Sequence, residues 1–215
     1  MPKRTKHKPT KQLILKAALL LFNRDGFVNV RLQHIADEAF VSVGNLAYHF
    51  PNKAAIFEAI YDTLTSKQRA LLAEFKVVPL FDYIDRLIIQ TYQLQESYLF
   101  FYQDTLELLR AFPDVAAAHR RHIAWQEGMI KGMLDFNVAR GAFEPEPWPG
   151  LYGSVAARFR EFSDSYRALQ QIRGNEAISD RAFSEALWAF LIPFFTDTGK
   201  LEYRQMRQLP SGELF

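Results

Sequence analysis

The run Ser42-Val43-Gly44-Asn45, followed by Tyr48, His49 and Lys53, holds residue types at a spacing that can do specific chemistry. An asparagine amide can pair with adenine, a valine can touch a thymine methyl, and a glycine lets backbone approach a base edge. Tyr48 and His49 come about one helical turn later and can reach phosphates or bases; for each taken singly, packing or capping is the alternative. Lys53 would bring a cation to helix-terminal amides already suited to a phosphate.

Such residues work only if short helices hold them. Ile14, Ala17, Ala18, Leu21 and Phe22 fall on one helical face, with Thr10 as a cap and Gly26 as a left-handed stop. A short helix from Arg31 to Ala39 buries Leu32, Ile35, Ala36 and Ala39, and another starts at the N-cap Ser42 and is over by Pro51. Two short helices separated by two residues are the layout of a helix-turn-helix, whose second helix enters the major groove. A further helix, capped by Asn52, runs toward Phe75.

Catalytic chemistry is scarce. The chain has no cysteine, which excludes a disulfide framework, a thiolate metal site and a cysteine nucleophile. His119 and His122 stand three residues apart, but Arg120 and Arg121 lie between them, so a hydrogen-bonded or solvated pair is expected rather than a metal site. Asp104 and Glu107 share a helical spacing without surroundings that suggest acid–base work. There is no phosphate-cradling glycine loop and no nucleophile elbow. No catalytic residue, metal or cofactor is expected, and an enzyme built on a helical bundle is the remote alternative.

Half of the 215 residues are hydrophobic and 23% charged, which excludes a disordered chain. The net charge of +2 is unevenly spread: Met1 to Lys53 carries nine Lys/Arg against three Asp/Glu, the rest seventeen against twenty-one. A basic first quarter on a mildly acidic remainder suits a nucleic-acid-facing module joined to another domain. The basic arm Pro2 to Lys11 is expected as a tail adding salt-sensitive attraction to phosphates. It does not make a secretory signal, because Lys16 interrupts the apolar stretch and Asn23-Arg24-Asp25 stands where small residues should be. The apolar run Ala186 to Phe195 is half the ~20 residues needed to span a bilayer. A cytoplasmic protein without membrane partners is expected.

From Leu13 to Phe57 the sequence resembles the TetR family of bacterial transcriptional regulators. The likeness is carried by Ile14 to Phe22, Gly26-Phe27, Ile35-Ala36-Asp37, Val41 to Leu46 and Tyr48 to Lys53. The resemblance implies a three-helix DNA-binding head, a helical ligand-binding and dimerisation body, and a homodimer on a palindromic operator in double-stranded DNA. It also implies repression released by a small-molecule effector. By matching position, Ser42, Val43, Gly44, Asn45, Tyr48, His49 and Lys53 inherit DNA contacts, and Arg31 and Gln33 the backbone contacts of the preceding helix. Three positions depart from the pattern: Ala47 for tyrosine, Phe40 for the turn glycine, and Val30 for a capping threonine, leaving Asn29 as substitute cap. A bulky residue forced left-handed at Phe40 costs ~1–2 kcal/mol.

The fold class expected is all-α, with a DNA-binding domain over 1–52 and a ligand-binding and dimerisation domain over 53–215, the helix 53–75 connecting them. After a linker at Lys76 to Pro79, helices are expected at Leu80 to Gln95, Glu96 to Phe112, Asp114 to Arg140, Trp148 to Ile172 and Ser179 to Lys200. Aromatic residues on inward faces are the candidate effector contacts: Tyr92, Tyr98, Tyr102, His122, Trp125, Phe159, Phe162 and Tyr166. Leu151 and Val155, with Phe183, Leu187, Phe190, Leu191 and Phe194, form stripes wide enough to pair with a second copy; packing within the chain is the alternative. Pro193 is expected to kink the last helix. An effector-independent or protein-switched DNA-binding protein is the other reading.

Overall fold

The structure, a computed structural model, describes residues 10–73, 80–175 and 178–209. Most of the basic arm, the linker at 76–79 and the end of the helix expected to reach Phe75 lie outside the described residues. The described chain is all-α: α1 (Thr10–Asp25), α2 (Leu32–Glu38), α3 (Val43–His49), α4 (Lys53–Ala73), α5 (Phe81–Ser97), α6 (Leu99–Gln103), α7 (Thr105–Ala111), α8 (Pro113–Ala139), α9 (Leu151–Ile172), α10 (Asp180–Trp188) and α11 (Asp197–Arg207). None of the described helices is long and apolar enough to cross a membrane.

The chain packs as two compact units. The first holds the residues up to Lys67 together with Ser97–Ala116, so the division does not fall at the expected boundary after residue 52. α1 buries Ile14, Ala18 and Phe22 as its spacing demands, and Gly26 ends it with φ +79°. Phe22 meets Phe27 at 5.0 Å and Phe100 at 5.3 Å between ring centroids, and Phe57 meets Phe112 at 4.6 Å. Asn23 fixes Ser97–Ala116 to the same unit: its Nδ2 donates to the Ser97 carbonyl at 3.0 Å and its Oδ1 accepts from the Phe100 amide at 3.1 Å.

Two expected helices are broken. The stretch 96–112 divides at Tyr98 and Asp104, whose backbones leave the helical region. Tyr98, Phe100 and Phe101 are all buried, and on an unbroken helix Phe100 would face away from the side that Tyr98 and Phe101 share. The second break lies in the second unit, which comprises Gln68–Glu96 and the chain from Ala117. There Pro193 does more than kink a helix: Ile192–Phe194 tighten into a 3-10 turn, and Phe195 is extended and pairs with Phe143. The helix restarts at α11 with Thr196 as N-cap, its side chain accepting from the Gly199 amide at 3.2 Å. A Cβ on Gly199 would lie 2.1 Å from the Ala142 carbonyl oxygen, so only glycine permits this crossing.

The core of the second unit gathers Phe81, Phe143, Trp188, Phe195 and Tyr203, with ring centroids 5.0 to 6.0 Å apart. Beneath them the Asp85 carboxylate accepts from Trp188 Nε1 at 2.9 Å and pairs with Arg207 at 3.0 Å, so the partly buried acid has a cation beside it.

Candidate nucleic-acid interface and ligand cavity

α2 and α3 are joined by a Schellman turn in which Phe40 takes the left-handed position, φ +55°. The Phe40 amide donates to the Asp37 carbonyl at 3.1 Å and the Val41 amide to that of Ala36 at 3.0 Å. The Phe40 side chain is 95% exposed. Ser42 then caps α3, its Oγ accepting from the Asn45 amide at 3.1 Å. Only Leu46 of α3 is buried, and it anchors the helix while Val43, Gly44, Asn45, Ala47 and Tyr48 face outward. His49 is half-buried, its ring edge-on to Tyr48 at 5.2 Å.

Gly44 has no internal reason to be glycine. Its φ is not positive, and an added Cβ would meet nothing closer than the Ser42 Oγ at 4.0 Å. Glycine in an exposed helix costs about 1 kcal/mol relative to alanine, so its value lies in what approaches from outside.

The α2 end differs from expectation in detail. Arg31, not Asn29, is the N-cap residue, and its amide donates to His34 Nδ1 at 3.3 Å; Asn29 instead donates to the Asp25 carbonyl at 2.8 Å. Arg31 and Gln33 are exposed, Gln33 bonded to Asp37 at 2.7 Å. Lys53 needs a correction. Its Nζ donates to the carbonyls of Phe27 and Val30, both at 2.9 Å, with Val28 at 3.4 Å. Burial pushes its pKa down. An ammonium taken up by three carbonyls ties α4 to the loop before α2 and has no donor left for a phosphate.

The second unit holds a cavity of about 70 Å³ among α4, α5, α8, α9 and α10. Its walls are aliphatic, with Leu71, Ile84, Leu87, Ile88, Ile130 and Met133 prominent, and its polar members are Gln68, Thr91, Gln126, Arg160, Ser163 and Asp164. Arg160 Nε donates to Glu127 at 3.0 Å and its NH1 to Asp164 at 2.8 Å. Burial pushes the Asp164 carboxyl up to about 6, with Arg160 partly offsetting it.

Of the aromatic residues expected to contact an effector, Phe159 lines this cavity and the others do not. Tyr92 packs on Phe183 and donates to the Ile178 carbonyl at 2.9 Å; Tyr166 packs on Phe183, and Phe162 on Phe190. His122 bonds Gln68 at 2.8 Å and stacks on Trp125. Tyr98 and Tyr102 belong to the first unit. Rings satisfy one another in clusters, which leaves the gap among branched aliphatics. Burial, with the Arg160 charge for His119 and the Arg69 charge for His122, holds both imidazoles down at about 4.

The expected dimer stripe is likewise divided. Phe183, Leu187 and Leu191 are buried within the chain itself and are core, whereas Leu151, Val155, Phe190 and Phe194 are partly exposed.

The profile of bacterial regulatory proteins of the tetR family matches residues 14–60. RutR of Escherichia coli K12 is 41% identical over 66 residues, which span 31% of this chain and 31% of that regulator. CymR of Pseudomonas putida is 30% identical over 147 residues, 66% of this chain and 64% of the relative. UidR of Escherichia coli K12 is 26% identical over 194 residues, 87% of this chain and 93% of UidR. A TetR-family regulator from Marinobacter aquaeolei VT8 superimposes with a TM-score of 0.83 at 20% identity, covering 94% of this chain and all 100% of that one.

Residues 14–60 carry the tetR-family signature, and the chain is similar to regulators of that family in sequence and in fold.

The family profile covers the head, from α1 into α4, where α3 presents its outward face. The cavity of the second unit lies away from most of the aromatic rings expected to contact an effector. The pattern Ile84, Leu87, Ile88, Thr91, Leu94 on α5, an aliphatic stripe interrupted by one hydroxyl, was the signal that could have found it.

Proposed function

We propose that this protein is a dimeric, sequence-specific DNA-binding transcriptional regulator, a repressor released by a small, largely apolar effector. Gly44 carries the reading: an exposed glycine that the fold does not require, beside Val43 and Asn45 on the outward face of α3. Ser42, Tyr48, His49, Arg31 and Gln33 complete the contact set. Two such helices in a homodimer would meet successive major grooves of a palindrome, about 34–36 Å apart. The part-exposed Leu151, Val155, Phe190 and Phe194 are the proposed seam. An effector that prefers a different spacing of the two α3 helices would lower operator affinity; a coupling of about 1–3 kcal/mol corresponds to about 5–150-fold. The cell compartment that suits this work is the cytoplasm.

Selection of duplexes from a random pool at physiological salt tests the reading. An enriched palindrome is expected; binding that fades with salt and enriches nothing would overturn sequence specificity.

One observation favours the second reading, a regulator without a small-molecule effector. The cavity of about 70 Å³ is smaller than the ~150 Å³ that admits benzene. An effector of more than a few atoms must therefore part the lining helices, which is also how it would exert force on the fold.

A further inference from the structure

The chemical class of the effector follows from where the polar residues fall along each lining helix, an inference that rests on the effector reading above. On α4 Gln68 precedes Leu71 and Leu72 by one turn; on α8 Gln126 precedes Ile130 and Met133. On α5 Ile84, Leu87 and Ile88 come first, Thr91 follows them, and Leu94 lies one further turn along. Three contacts set the alignment of these runs. Tyr83 OH lies 3.5 Å from the Leu71 carbonyl, placing the aliphatic ends of α4 and α5 together. Gln95 Nε2 donates to Ser163 Oγ at 3.2 Å, placing the Thr91 end of α5 beside Ser163 and Asp164. The Arg160–Glu127 bond places the Gln126 end of α8 beside the same stretch of α9. The cavity is thus polar at one end and aliphatic at the other.

The polar end carries one guanidinium shared among carboxylates. The Arg160 side chain, 12% exposed, is held by Glu127 and Asp164, and Glu161 stands 4.0 Å away. An anionic head entering here would face these carboxylates with no unpaired cation, and an ammonium would have to displace Arg160 from its partners. An anion would be desolvated beside carboxylates, and an ammonium beside carboxylates that Arg160 already bonds. Gln68, Thr91, Gln126 and Ser163 are neutral groups that can donate and accept. We propose that the cavity selects an uncharged amphiphile, with a short aliphatic body and a hydroxyl, amide or carbonyl head.

The test titrates full-length protein, methyl-labelled at isoleucine, with 1-hexanol, hexanamide, hexanoate and hexylammonium at pH 7.5, following the Ile84, Ile88 and Ile130 signals by NMR. The two neutral probes are expected to move these signals and to bind at least about tenfold more tightly than either ion. Hexanoate or hexylammonium matching the neutral probes would overturn the head assignment and leave the effector reading standing. Silence at all three isoleucines with all four probes would overturn both. In the double variant Glu127→Gln, Asp164→Asn, which frees Arg160, hexanoate is expected to gain about tenfold relative to 1-hexanol, and no gain overturns the electrostatic argument. If that variant does not fold, the ranking of the four probes on the unaltered protein decides.

Discussion

The Nζ of Lys53 lies 2.9 Å from the carbonyl oxygen of Phe27 and 4.3 Å from the centroid of the Phe27 ring. One side chain thereby anchors the first turn of α4 to the loop that delivers α2. Lys53→Met would strand the Phe27 and Val30 carbonyls, and a loss of about 1–3 kcal/mol is expected in a denaturant melt. Were Lys53 a phosphate contact, the substitution would lower the slope of log affinity against log salt by about 0.9. With its donors already engaged, the slope is expected to stay unchanged.

Gly44 separates stability from recognition. Gly44→Ala is expected to raise stability by about 0.5–1 kcal/mol, because alanine favours the helix and the added methyl meets nothing in the fold. The same change should weaken operator binding in a fluorescence titration. Asn45→Ala should leave the melt nearly unchanged and abolish the site preference. A Gly44→Ala protein that binds its operator unimpaired would remove the main support for the docking face.

Phe40 occupies a left-handed position with its side chain almost wholly in water. Phe40→Gly relieves about 1–2 kcal/mol of backbone strain against about 0.5–1 kcal/mol of added chain entropy in the unfolded state. A net gain of up to about 1.5 kcal/mol in unfolding free energy is expected. A loss instead would mean that the exposed ring makes a contact worth more than the strain.

The acid behaviour of the second unit has opposing parts. His119 and His122, each held at about 4 against 6.5 for the free side chain, contribute stability that is present above pH 6.5 and lost as pH falls toward 4. Asp164, raised from 3.8 to about 6, acts in the other direction: its contribution is present below pH 3.8 and lost as pH rises through 6. Between pH 4.5 and 5.5 the histidines dominate, so stability falls on acidification. Asp164→Asn removes the opposing proton, and the slope should steepen toward about 1.4 kcal/mol more per pH unit. Melts at stepped pH read this directly, and an unchanged slope would count against the raised Asp164.

Local chemistry was enough to place the head. The helical period of Ile14 to Phe22, the Ser42 cap and the Gly26 stop are decided within a few residues, so the order of residues encodes them and the structure agrees. The all-α class was legible for the same reason. The body was legible only as a set of amphipathic helices. Whether Phe183 and Leu187 face a partner or their own core depends on which helices meet, and the sequence carries no local mark of that. Which wall residues fail to close around a gap is likewise set by packing across α4, α5, α8 and α9, so the cavity fell among aliphatics and the rings elsewhere. Lys53 shows the same limit in one residue: its charge was plain from the sequence, but whether the charge faced phosphate or three carbonyls was decided by the loop folded against it. Short-range hydrogen bonds and periodicity are properties of neighbours along the chain, whereas burial, pairing and voids are properties of neighbours in space.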